Sequence, residues 1–455
     1  MVSNLLPIQF LKYFYVRLSF TFSRWSYAIV LLLQVMKLML NIGILFISLA
    51  TSFWFTESLY SQNPLKRLEF ENPKQKSQTL HFKFINNLII LPVSINGSDT
   101  LNFILDTGIS TTMITELAGT DSLILNFARE IKLQGLGVGE PIKGIHSYGN
   151  QIQIGGITGQ NQDVHVILDN EFQLSARMGI PIQGILGYSV FSNFIVSINY
   201  DYKQITFYKP DHFKAKRRHS KYTSIPLTLN NTKPYITLKI IDNTGNSFLV
   251  KLLIDTGASH AIWLDGSSVP GLKIPESGKE TYLGTGLNGE VYGTLARFNA
   301  IEVNGNILKD VIVSFPDSSS ISAAAGLNQR NGSIGSEILK RFNLIIDYPN
   351  QRIGLKPNSY FKNDFNQNLS GMEIIAPYPG IKYYEVEGVR ENSPAHLAGI
   401  KKGDVIQSIN GMKSEKVELY DIYEILQNQP GRKLNLMIMR EGELISTTLR
   451  LEKFI

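Results

Sequence analysis

Apolar and polar residues alternate with a period of two through most of the chain after residue 80. Such alternation is typical of β-strands that bury one face. Asn-Gly or Gly-Gly pairs at residues 96–97, 155–156 and 304–305 separate several of the apolar stretches. These pairs favour the tight turns of β-hairpins. The pattern therefore predicts a mostly β protein built largely from antiparallel hairpins.

The β pattern occurs twice along the chain. "FILDTGISTTMI" at residues 103–114 corresponds to "LLIDTGASHAIWL" at residues 252–264. Further on, "ILGYSVFSNFIVSINYDYKQITFY" at 185–208 corresponds to "SIGSEILKRFNLIIDYPNQRIGLK" at 333–356. An internal repeat of this length predicts two equivalent structural units. We expect a first lobe at residues 81–208 and a second at 223–358, with the basic run 209–222 as a solvated linker.

Each repeat carries Asp-Thr-Gly directly after its apolar strand, with Asp106 in the first and Asp255 in the second. One carboxylate at a strand end is usually a turn or capping residue. If two equivalent lobes pack about a pseudo-twofold axis, however, the two aspartates meet, and like charges in contact share one proton. Thr hydroxyls would orient the carboxylates, and Gly would permit close backbone approach. The residues expected to support the pair in this way are Thr107, Gly108, Thr256 and Gly257.

These motifs resemble the bilobal aspartic peptidases of the pepsin and retropepsin kind. The resemblance extends from residue 81 to about residue 357. It includes both triplets with the following Ser110 and Ser259, and the hydrophobic-hydrophobic-Gly element at residues 185–187 with its counterpart at 333–335. In the second element Ser333 replaces an apolar residue, and we expect looser packing behind Asp255.

The resemblance implies an acid protease fold of two pseudo-symmetric β-barrel lobes. It also implies hydrolysis of a polypeptide substrate by a water held between Asp106 and Asp255, one acting as base and the other protonating the carbonyl, without a covalent intermediate. Ser110 and Ser259 would support the pair by hydrogen bonding. Neither a metal nor another cofactor is implied. Hydrolysis should be favoured at acidic pH, because the working state needs one proton on the pair.

A flap that closes over the cleft is a further expectation. The pepsin flap places Tyr directly before Gly-Thr-Gly, whereas this chain has "QGLGVG" in the first repeat and "TYLGTGLNG" in the second. A flap on each lobe is closer to the retropepsin arrangement. The expected flap residues are Gly135, Gly137, Tyr282, Gly284 and Gly286.

The pattern changes after residue 369. "ENSPAHLAGIKKGDVIQSINGMK" at 391–413 combines a short helix opened by Ser-Pro, a terminating Gly and a strand closed by Asn-Gly. This stretch resembles a PDZ domain, at residues 370–455. The resemblance implies an α+β domain that binds an extended peptide or a C-terminal segment by strand addition, with a backbone nest for the terminal carboxylate. The expected peptide-binding residues are Gly380, Ile381, Tyr383, Leu419, Ile422 and Leu426, although the last three suit a buried helix face as well.

The N-terminal segment, residues 1–58, is strongly apolar from Tyr27 to Phe55, with Arg24 before and Glu57 after. It is long enough to span a bilayer with its positive flank inside. Alternatively, translation starts at Met36 and the segment is a secretory signal. Residues 59–80 form a polar linker. In either case we expect an exported protein of the cell envelope, with the membrane as a partner where the segment is retained.

Composition limits the remaining classes of function. The chain has 455 residues, 43% of them hydrophobic and 18% charged, and it has no Cys. This length predicts two or three domains with their own cores. A net charge of +6 without a basic, aromatic-rich face argues against nucleic-acid binding. "GTGLNG" at 284–289 fits a dinucleotide-binding pattern, but strand-like residues follow where a helix is required.

Two hypotheses follow from the sequence. In the first, the protein is an exported aspartic endopeptidase whose PDZ domain recruits or positions polypeptides. In the second, it is a non-catalytic envelope scaffold whose lapsed cleft and PDZ domain bind peptides. Intact Asp-Thr-Gly in both repeats favours the first, since a cleft used only for binding needs no pair of like-charged carboxylates.

Overall fold

The computed structural model describes residues 67–117, 119–133, 141–168, 173–213, 221–319 and 330–455. The hydrophobic N-terminal segment lies outside these residues. Among the described residues, no helix is long and apolar enough to cross a membrane. The described chain is mostly β, as predicted, and forms two barrel-containing lobes followed by a small α+β domain.

The first lobe contains twelve strands among its described residues. They are Leu68–Phe70 (β1), Ser77–His81 (β2), Lys83–Ile85 (β3), Leu88–Ile95 (β4), Leu101–Leu105 (β5), Thr112–Ile114 (β6), Ala128–Leu133 (β7), Ile142–Ile154 (β8), Ile157–Ile167 (β9), Gly184–Leu186 (β10), Ile195–Asn199 (β11) and Gln204–Tyr208 (β12). Two short helices are Leu174–Met178 (α1) and Tyr188–Asn193 (α2). Six strands close into a barrel in the order β4, β5, β10, β6, β9, β8 and back to β4.

The second lobe repeats this arrangement. Its strands are Thr223–Pro226 (β13), Thr228–Asn230 (β14), Lys233–Ile241 (β15), Ser247–Ile254 (β16), Ile262–Leu264 (β17), Lys279–Gly286 (β18), Gly289–Val303 (β19), Asn306–Pro316 (β20), Gly332–Ile334 (β21), Phe342–Asp347 (β22) and Arg352–Pro357 (β23), with one helix at Ser336–Leu339 (α3). The barrel closes in the order β15, β16, β21, β17, β20, β19 and back to β15. The two closed rings follow the same order, as expected from the internal repeat.

The first lobe begins earlier than the sequence predicts. Strand β1 pairs with β9, and β2 pairs with β12, so residues from Leu68 onward in the predicted linker 59–80 are part of the lobe. Leu68 and Phe70 are buried at 2% and 4% exposure. Their two-residue alternation is short and surrounded by Lys, Asn and Gln, which explains why the composition of this stretch indicates a linker.

A six-stranded sheet joins the two lobes. Its order is β13, β23, β22, β11, β12 and β2, so each lobe supplies three strands. The central pair is antiparallel, with Val196 of β11 opposite Ile346 of β22. One continuous hydrophobic core extends through both barrels and this sheet. The shared sheet therefore fixes the orientation of one lobe against the other.

Two predicted turns have the expected backbone. Asn96 and Gly97 have φ of 51° and 77°, and Asn304 and Gly305 have φ of 47° and 81°. Positive φ at both central residues is the requirement of the type I′ turn, which Asn-Gly meets at little cost. These turns join neighbouring antiparallel strands, β4 to β5 and β19 to β20.

The C-terminal domain contains Met372–Ile375 (β24), Glu385–Val389 (β25), Pro394–Leu397 (α4), Val405–Ile409 (β26), Met412–Lys413 (β27), Leu419–Leu426 (α5), Lys433–Arg440 (β28) and Glu443–Arg450 (β29). A short 3₁₀ helix of this domain occupies Ser414–Lys416, and two more lie outside it at Pro210–His212 and Gly266–Ser268. The side chain of Ser393 caps α4 by accepting a hydrogen bond from the His396 N–H, and Gly399 ends the turn with φ of 74°. The domain has its own hydrophobic core.

Candidate active site

The two aspartates stand at equivalent ends of central barrel strands. Strand β5 runs parallel to β10, and the N–H of Asp106 donates to Leu186 O at 2.9 Å. In the second lobe β16 runs parallel to β21, and the N–H of Asp255 donates to Ile334 O at 3.0 Å. The element expected at residues 185–187 thus supports the first aspartate through its own backbone, and its counterpart supports the second.

The threonines of the two triplets lock the lobes together. The N–H of Thr107 donates to Thr256 Oγ1, and the N–H of Thr256 donates to Thr107 Oγ1, each at 3.1 Å. The hydroxyl of Thr107 donates to Ile254 O at 2.7 Å, and that of Thr256 donates to Leu105 O at 2.9 Å. Both threonines are buried. These four reciprocal bonds join the strand ends that carry the aspartates.

The carboxyl groups of Asp106 and Asp255 lie next to each other, since a Cβ added to Gly108 would be 3.0 Å from Asp106 Oδ1 and 3.4 Å from Asp255 Oδ1. The N–H of Gly108 donates to Asp106 Oδ1 at 2.5 Å, and the N–H of Gly257 donates to Asp255 Oδ1 at 3.2 Å. A Cβ added to Gly257 would overlap Asp106 Cγ, at a separation that Cβ atoms in proteins do not show. Glycine is therefore required there because the opposite carboxyl group occupies the space a side chain would need.

The pair retains a proton more strongly than ordinary aspartates do. Burial raises the pKa of Asp106 well above its usual range, and the nearby charge of Asp255 raises it further. Burial also raises the pKa of Asp255, but the positive charges of Arg330 and Lys233 oppose that rise. Burial therefore favours a pair that retains a proton at pH values where ordinary aspartates are ionised, and the two cations favour the ionised form.

Lys233 is a residue at this site that the sequence analysis missed. Its side chain is half-buried and lies near both aspartates. Burial and the charge of Arg330 lower the pKa of Lys233, and the negative charges of Asp106 and Asp255 partly oppose that lowering. The preceding Thr232 forms a 2.6 Å hydrogen bond between its hydroxyl and that of Ser110. A lysine following a polar turn has no sequence signal that separates it from an ordinary solvated lysine.

The two serines after the triplets differ in their surroundings. The described bond of Ser110 Oγ is to Thr232, so Ser110 fixes the turn that precedes Lys233. Ser259 is exposed, and its carbonyl accepts a hydrogen bond from Asn87 Nδ2 at 3.1 Å. Direct support of the carboxylates by either serine stays a prediction.

Ser333 makes a polar contact instead of loosening the packing behind Asp255. It is 7% exposed, and its hydroxyl lies 3.1 Å from His260 Nε2. The His260 ring stacks on Trp263 with centroids 4.8 Å apart. Burial lowers the pKa of His260 to about 3, and the charge of Arg330 adds to the effect. The hydroxyl of Ser333 thus has a neutral imidazole as its hydrogen-bond partner.

The expected flap of the second lobe is the hairpin of β18 and β19, with Gly284 and Gly286 on its first strand. Leu287 at its tip packs against Met113, Ile142 and Ile167 of the first lobe. The hairpin therefore crosses from one lobe to the other. The remaining expected flap residues are Tyr282, whose hydroxyl bonds Thr285 Oγ1 at 2.5 Å, and Gly135 and Gly137, which lie outside the described residues.

The residues expected to bind peptide in the C-terminal domain fall into two groups. Leu419, Ile422 and Leu426 on α5 are 1%, 0% and 0% exposed and belong to the domain core. They form the buried face of the amphipathic helix, and Leu419 also contacts Gly179 of the first lobe, so a role of these residues in peptide binding stays a prediction. Ile381 and Tyr383 are 62% and 36% exposed on the preceding loop, where Gly380 adopts φ of 86°.

Two closed barrels that share one sheet and present a paired carboxyl group define the class of two-lobed aspartic peptidases. Residues 91–190 and 241–338 match the family described as "Aspartyl protease", and residues 385–440 match the family described as "PDZ domain". Both lobes therefore match the aspartyl protease family, and a segment that matches the PDZ domain family follows them.

Among solved structures, the chain is similar to the aspartic proteinase from Irpex lacteus. The two sequences are 14% identical, the match covers 63% of this chain and 99% of that chain, and the TM-score is 0.40. Within the described residues, no group of three or more His, Asp or Glu side chains is arranged to hold a metal ion.

Proposed function

We propose that the protein is an aspartic endopeptidase in which Asp106 and Asp255 activate one water molecule. The observation that carries the proposal is the adjacent pair of carboxyl groups, Asp106 and Asp255, where the two lobes are joined by the reciprocal threonine bonds. A pair that holds one proton at the end of two aligned strands provides an acid and a base within reach of one substrate carbonyl.

The cations Arg330 and Lys233 near Asp255 support a proposed division of roles. In this proposal Asp255 is the base that removes a proton from water while the water oxygen bonds to the carbonyl carbon. Asp106 is the acid that gives its proton to the carbonyl oxygen. The resulting tetrahedral diol then collapses: Asp255 gives its proton to the amide nitrogen, the C–N bond breaks, and one diol hydroxyl returns its proton to Asp106. An amine and a carboxylic acid leave, and the pair again holds one proton. No covalent bond to the protein forms in this sequence.

The test is cleavage of a denatured protein substrate by the full chain and by Asp106→Asn and Asp255→Asn variants. We expect each variant to lose at least ~10³-fold in rate, because an amide can neither share the proton nor accept one. Asp310→Asn is the matched control: this aspartate is 60% exposed and paired with Arg297 on the surface. Equal cleavage by all four proteins would disprove the assignment.

A parent chain that is folded and binds denatured polypeptide but cleaves none between acidic and neutral pH would instead support the scaffold hypothesis. Identification of new N-termini in the products separates true hydrolysis from contaminating exopeptidase activity, because internal cleavage leaves defined new ends.

We also propose that the protein is exported and faces the outside of the cytoplasmic membrane. The support is the apolar run from Tyr27 to Phe55 with Arg24 before it. Protease added to intact cells after removal of any outer barrier should degrade the two lobes and the PDZ domain. Protection of the whole chain until the cytoplasmic membrane is lysed would refute export. The size of the mature chain distinguishes a retained anchor from a removed signal.

A further inference from the structure

A short segment of the first lobe contacts the PDZ domain at the place where a peptide ligand is expected. We call residues 174–182, which comprise α1 and the turn after it, the latch segment. Strand β24 is an edge of the PDZ sheet, and helix α5 lies beside it, where the Tyr423 hydroxyl bonds the N–H and the carbonyl of Ile374. The expected peptide groove is therefore bounded by β24, by α5 and by the loop of residues 376–384. A PDZ ligand lies between such a strand and helix, with its terminal carboxylate at the loop. All three elements contact the latch segment.

The loop donates backbone hydrogen bonds to the latch segment. The N–H of Ala376 donates to Ala176 O at 2.8 Å, and the N–H of Gly380 donates to Gly179 O at 3.4 Å. Both carbonyls are at the C-terminal end of α1, where the last carbonyl groups of a helix lack partners within the helix and carry partial negative charge. Two backbone donors, at the end of the edge strand β24 and on the loop after it, are thus engaged by oxygens of the same chain.

The helix wall is in van der Waals contact with the latch segment. Gly179 has φ of 73°, and a Cβ added to it would lie 2.7 Å from Leu419 Cβ. Tyr420 packs against a cluster that includes the buried Met178 and Ile182. Residue 179 must be glycine for two reasons: its backbone is left-handed, and helix α5 lies too close for a side chain.

Strand β25, the neighbour of the edge strand β24, contributes an ion pair. Arg177 Nη1 lies 3.2 Å from Glu387 Oε2, and Arg177 Nη2 lies 3.3 Å from Glu387 Oε1. The two side chains are 29% and 27% exposed. A partly solvated pair of this kind adds little affinity by itself, but it fixes the orientation of the segment in the groove.

The latch segment leads directly into the catalytic strand system. Gln183 follows it and donates its N–H to Asn102 O at 2.9 Å, and β10 begins at the next residue. At the end of β10, Leu186 O accepts the backbone hydrogen bond of Asp106. The PDZ domain therefore holds the chain shortly before the strand that supports the first aspartate.

We propose that the PDZ groove takes the latch segment of its own first lobe as its ligand, and that an external peptide competes with this segment for the groove. A tethered ligand acts at an effective concentration on the order of millimolar. An external peptide consequently binds weakly while the latch segment is in place. The PDZ domain thus acts as a brace for the first lobe, and a peptide strong enough to enter the groove releases that brace.

Binding of a probe peptide to the full chain tests the proposal. The probe is a fluorescein-labelled synthetic peptide with the sequence of residues 173–183, titrated by fluorescence anisotropy. The latch variant Arg177→Glu/Gly179→Ala changes only the first lobe and leaves the groove intact. We expect it to bind the probe at least tenfold more tightly than the parent chain, because repulsion from Glu387 and contact with Leu419 expel the segment. Equal affinity in the two proteins would overturn the proposal.

The matched control is Lys203→Glu/Gly97→Ala. Lys203→Glu reverses a positive charge, as Arg177→Glu does, but on an exposed turn. Gly97 has φ of 77°, close to the 73° of Gly179, and a Cβ added to it would have nothing within 4 Å. This control should bind the probe as the parent does. A gain in the control as large as in the latch variant would mean that general loosening of the fold, and not release of the groove, causes the effect.

Amide hydrogen exchange of the full chain provides the second measurement. We expect the amide of Ala376 to exchange at least tenfold faster in the latch variant, with α5 and β28 unchanged. If protection is lost throughout the PDZ domain, the charge-swapped chain Arg177→Glu/Glu387→Arg separates loss of the latch contact from general unfolding, because it restores the ion pair with the charges reversed. Slow exchange at Ala376 in that chain, against fast exchange in Arg177→Glu alone, supports the latch contact. Identical exchange in both refutes it.

Discussion

At the residue scale, the charges around Asp106 and Asp255 oppose each other. Burial makes both carboxyls harder to ionise, whereas Lys233 and Arg330 favour the ionised form of Asp255. Removing the positive charge of Lys233 takes away a force that lowers the pKa of both aspartates. The pH range in which the pair holds one proton is therefore set partly by this lysine.

We predict that Lys233→Met moves the bell-shaped pH dependence of kcat/KM to higher pH. Both limbs shift in that direction, because a pair without the nearby cation keeps its protons to higher pH. The control is Lys239→Met on the same strand, which removes a lysine that pairs with Glu302 at the surface. A profile that stays in place, or moves to lower pH, would show that Lys233 does not act on the pair.

The residues of the pair could be predicted from the sequence, since a triplet that recurs after the same kind of strand in both repeats must occupy equivalent places in two similar lobes. The same argument predicts that Thr107 and Thr256 lie beside the pair. It does not predict the reciprocal hydrogen bonds between them, because these depend on how the lobes pack. Lys233 and Ser333 could not be predicted. Their roles depend on which side chains the fold places next to them, and neither position has a distinctive local pattern.

At the scale of secondary structure, the hairpin of β18 and β19 is the element most directly related to substrate access. Its tip contacts the first lobe through Leu287, although the hairpin belongs to the second. The Gly-rich sequence around residues 284–289 predicted a flap but gave no information about what the end of the flap contacts. Such long-range contacts depend on the relative orientation of the lobes, which the shared sheet determines.

We predict that Leu287→Ala raises KM for polypeptide substrates by roughly threefold or more, with a smaller effect on kcat, because the shortened side chain weakens closure of the hairpin. The cost to folding should remain below about 1 kcal/mol, since Leu287 is only partly buried. Leu249→Ala, at a lobe-two leucine that is 73% exposed, is the control. Unchanged kinetics in the Leu287 variant would mean that the hairpin does not gate the cleft.

Strand β1 illustrates the limit of pattern analysis for whole elements. Three residues with one alternation are too short to separate from a linker, and the strand is stable only because β9 is there to pair with it. The longer elements of the PDZ domain could be predicted because capping and turn residues mark both ends. On α5, in contrast, periodicity identified a buried face but could not tell whether core or ligand covers it.

At the scale of the whole molecule, the first lobe and the PDZ domain meet around a half-buried carboxyl group, Glu373. Burial raises the pKa of Glu373 to about 7, the charge of Glu387 also raises it, and the charges of Arg177 and Arg390 lower it. Tyr282 of the hairpin and Tyr423 of α5 are close enough for Glu373 to act on the pKa of their hydroxyls. The junction therefore contains an acid that titrates near neutrality.

We predict that Glu373→Gln stabilises the full chain at pH 8 but not at pH 4. The folded-state pKa exceeds the usual value of 4.5, so the folded protein binds the extra proton and loses stability as pH rises from about 4.5 to about 7. A neutral glutamine avoids that loss, which amounts to about 1–2 kcal/mol after allowance for partial solvation. Urea unfolding at the two pH values measures it. Glu443→Gln, at an exposed residue of β29, is the control, and an equal gain at both pH values would contradict the prediction.

The six-stranded sheet shared by the lobes has a consequence for biosynthesis. Strand β11 leaves the ribosome early, but its partner β22 ends at Asp347, so translation must proceed through most of the second lobe before the pair can form. During that interval the edge of β11 presents unpaired backbone groups beside apolar side chains such as Val196 and Ile198. The nascent chain is consequently exposed to misassembly for as long as the second half takes to emerge, and slower elongation after residue 208 would lengthen that interval.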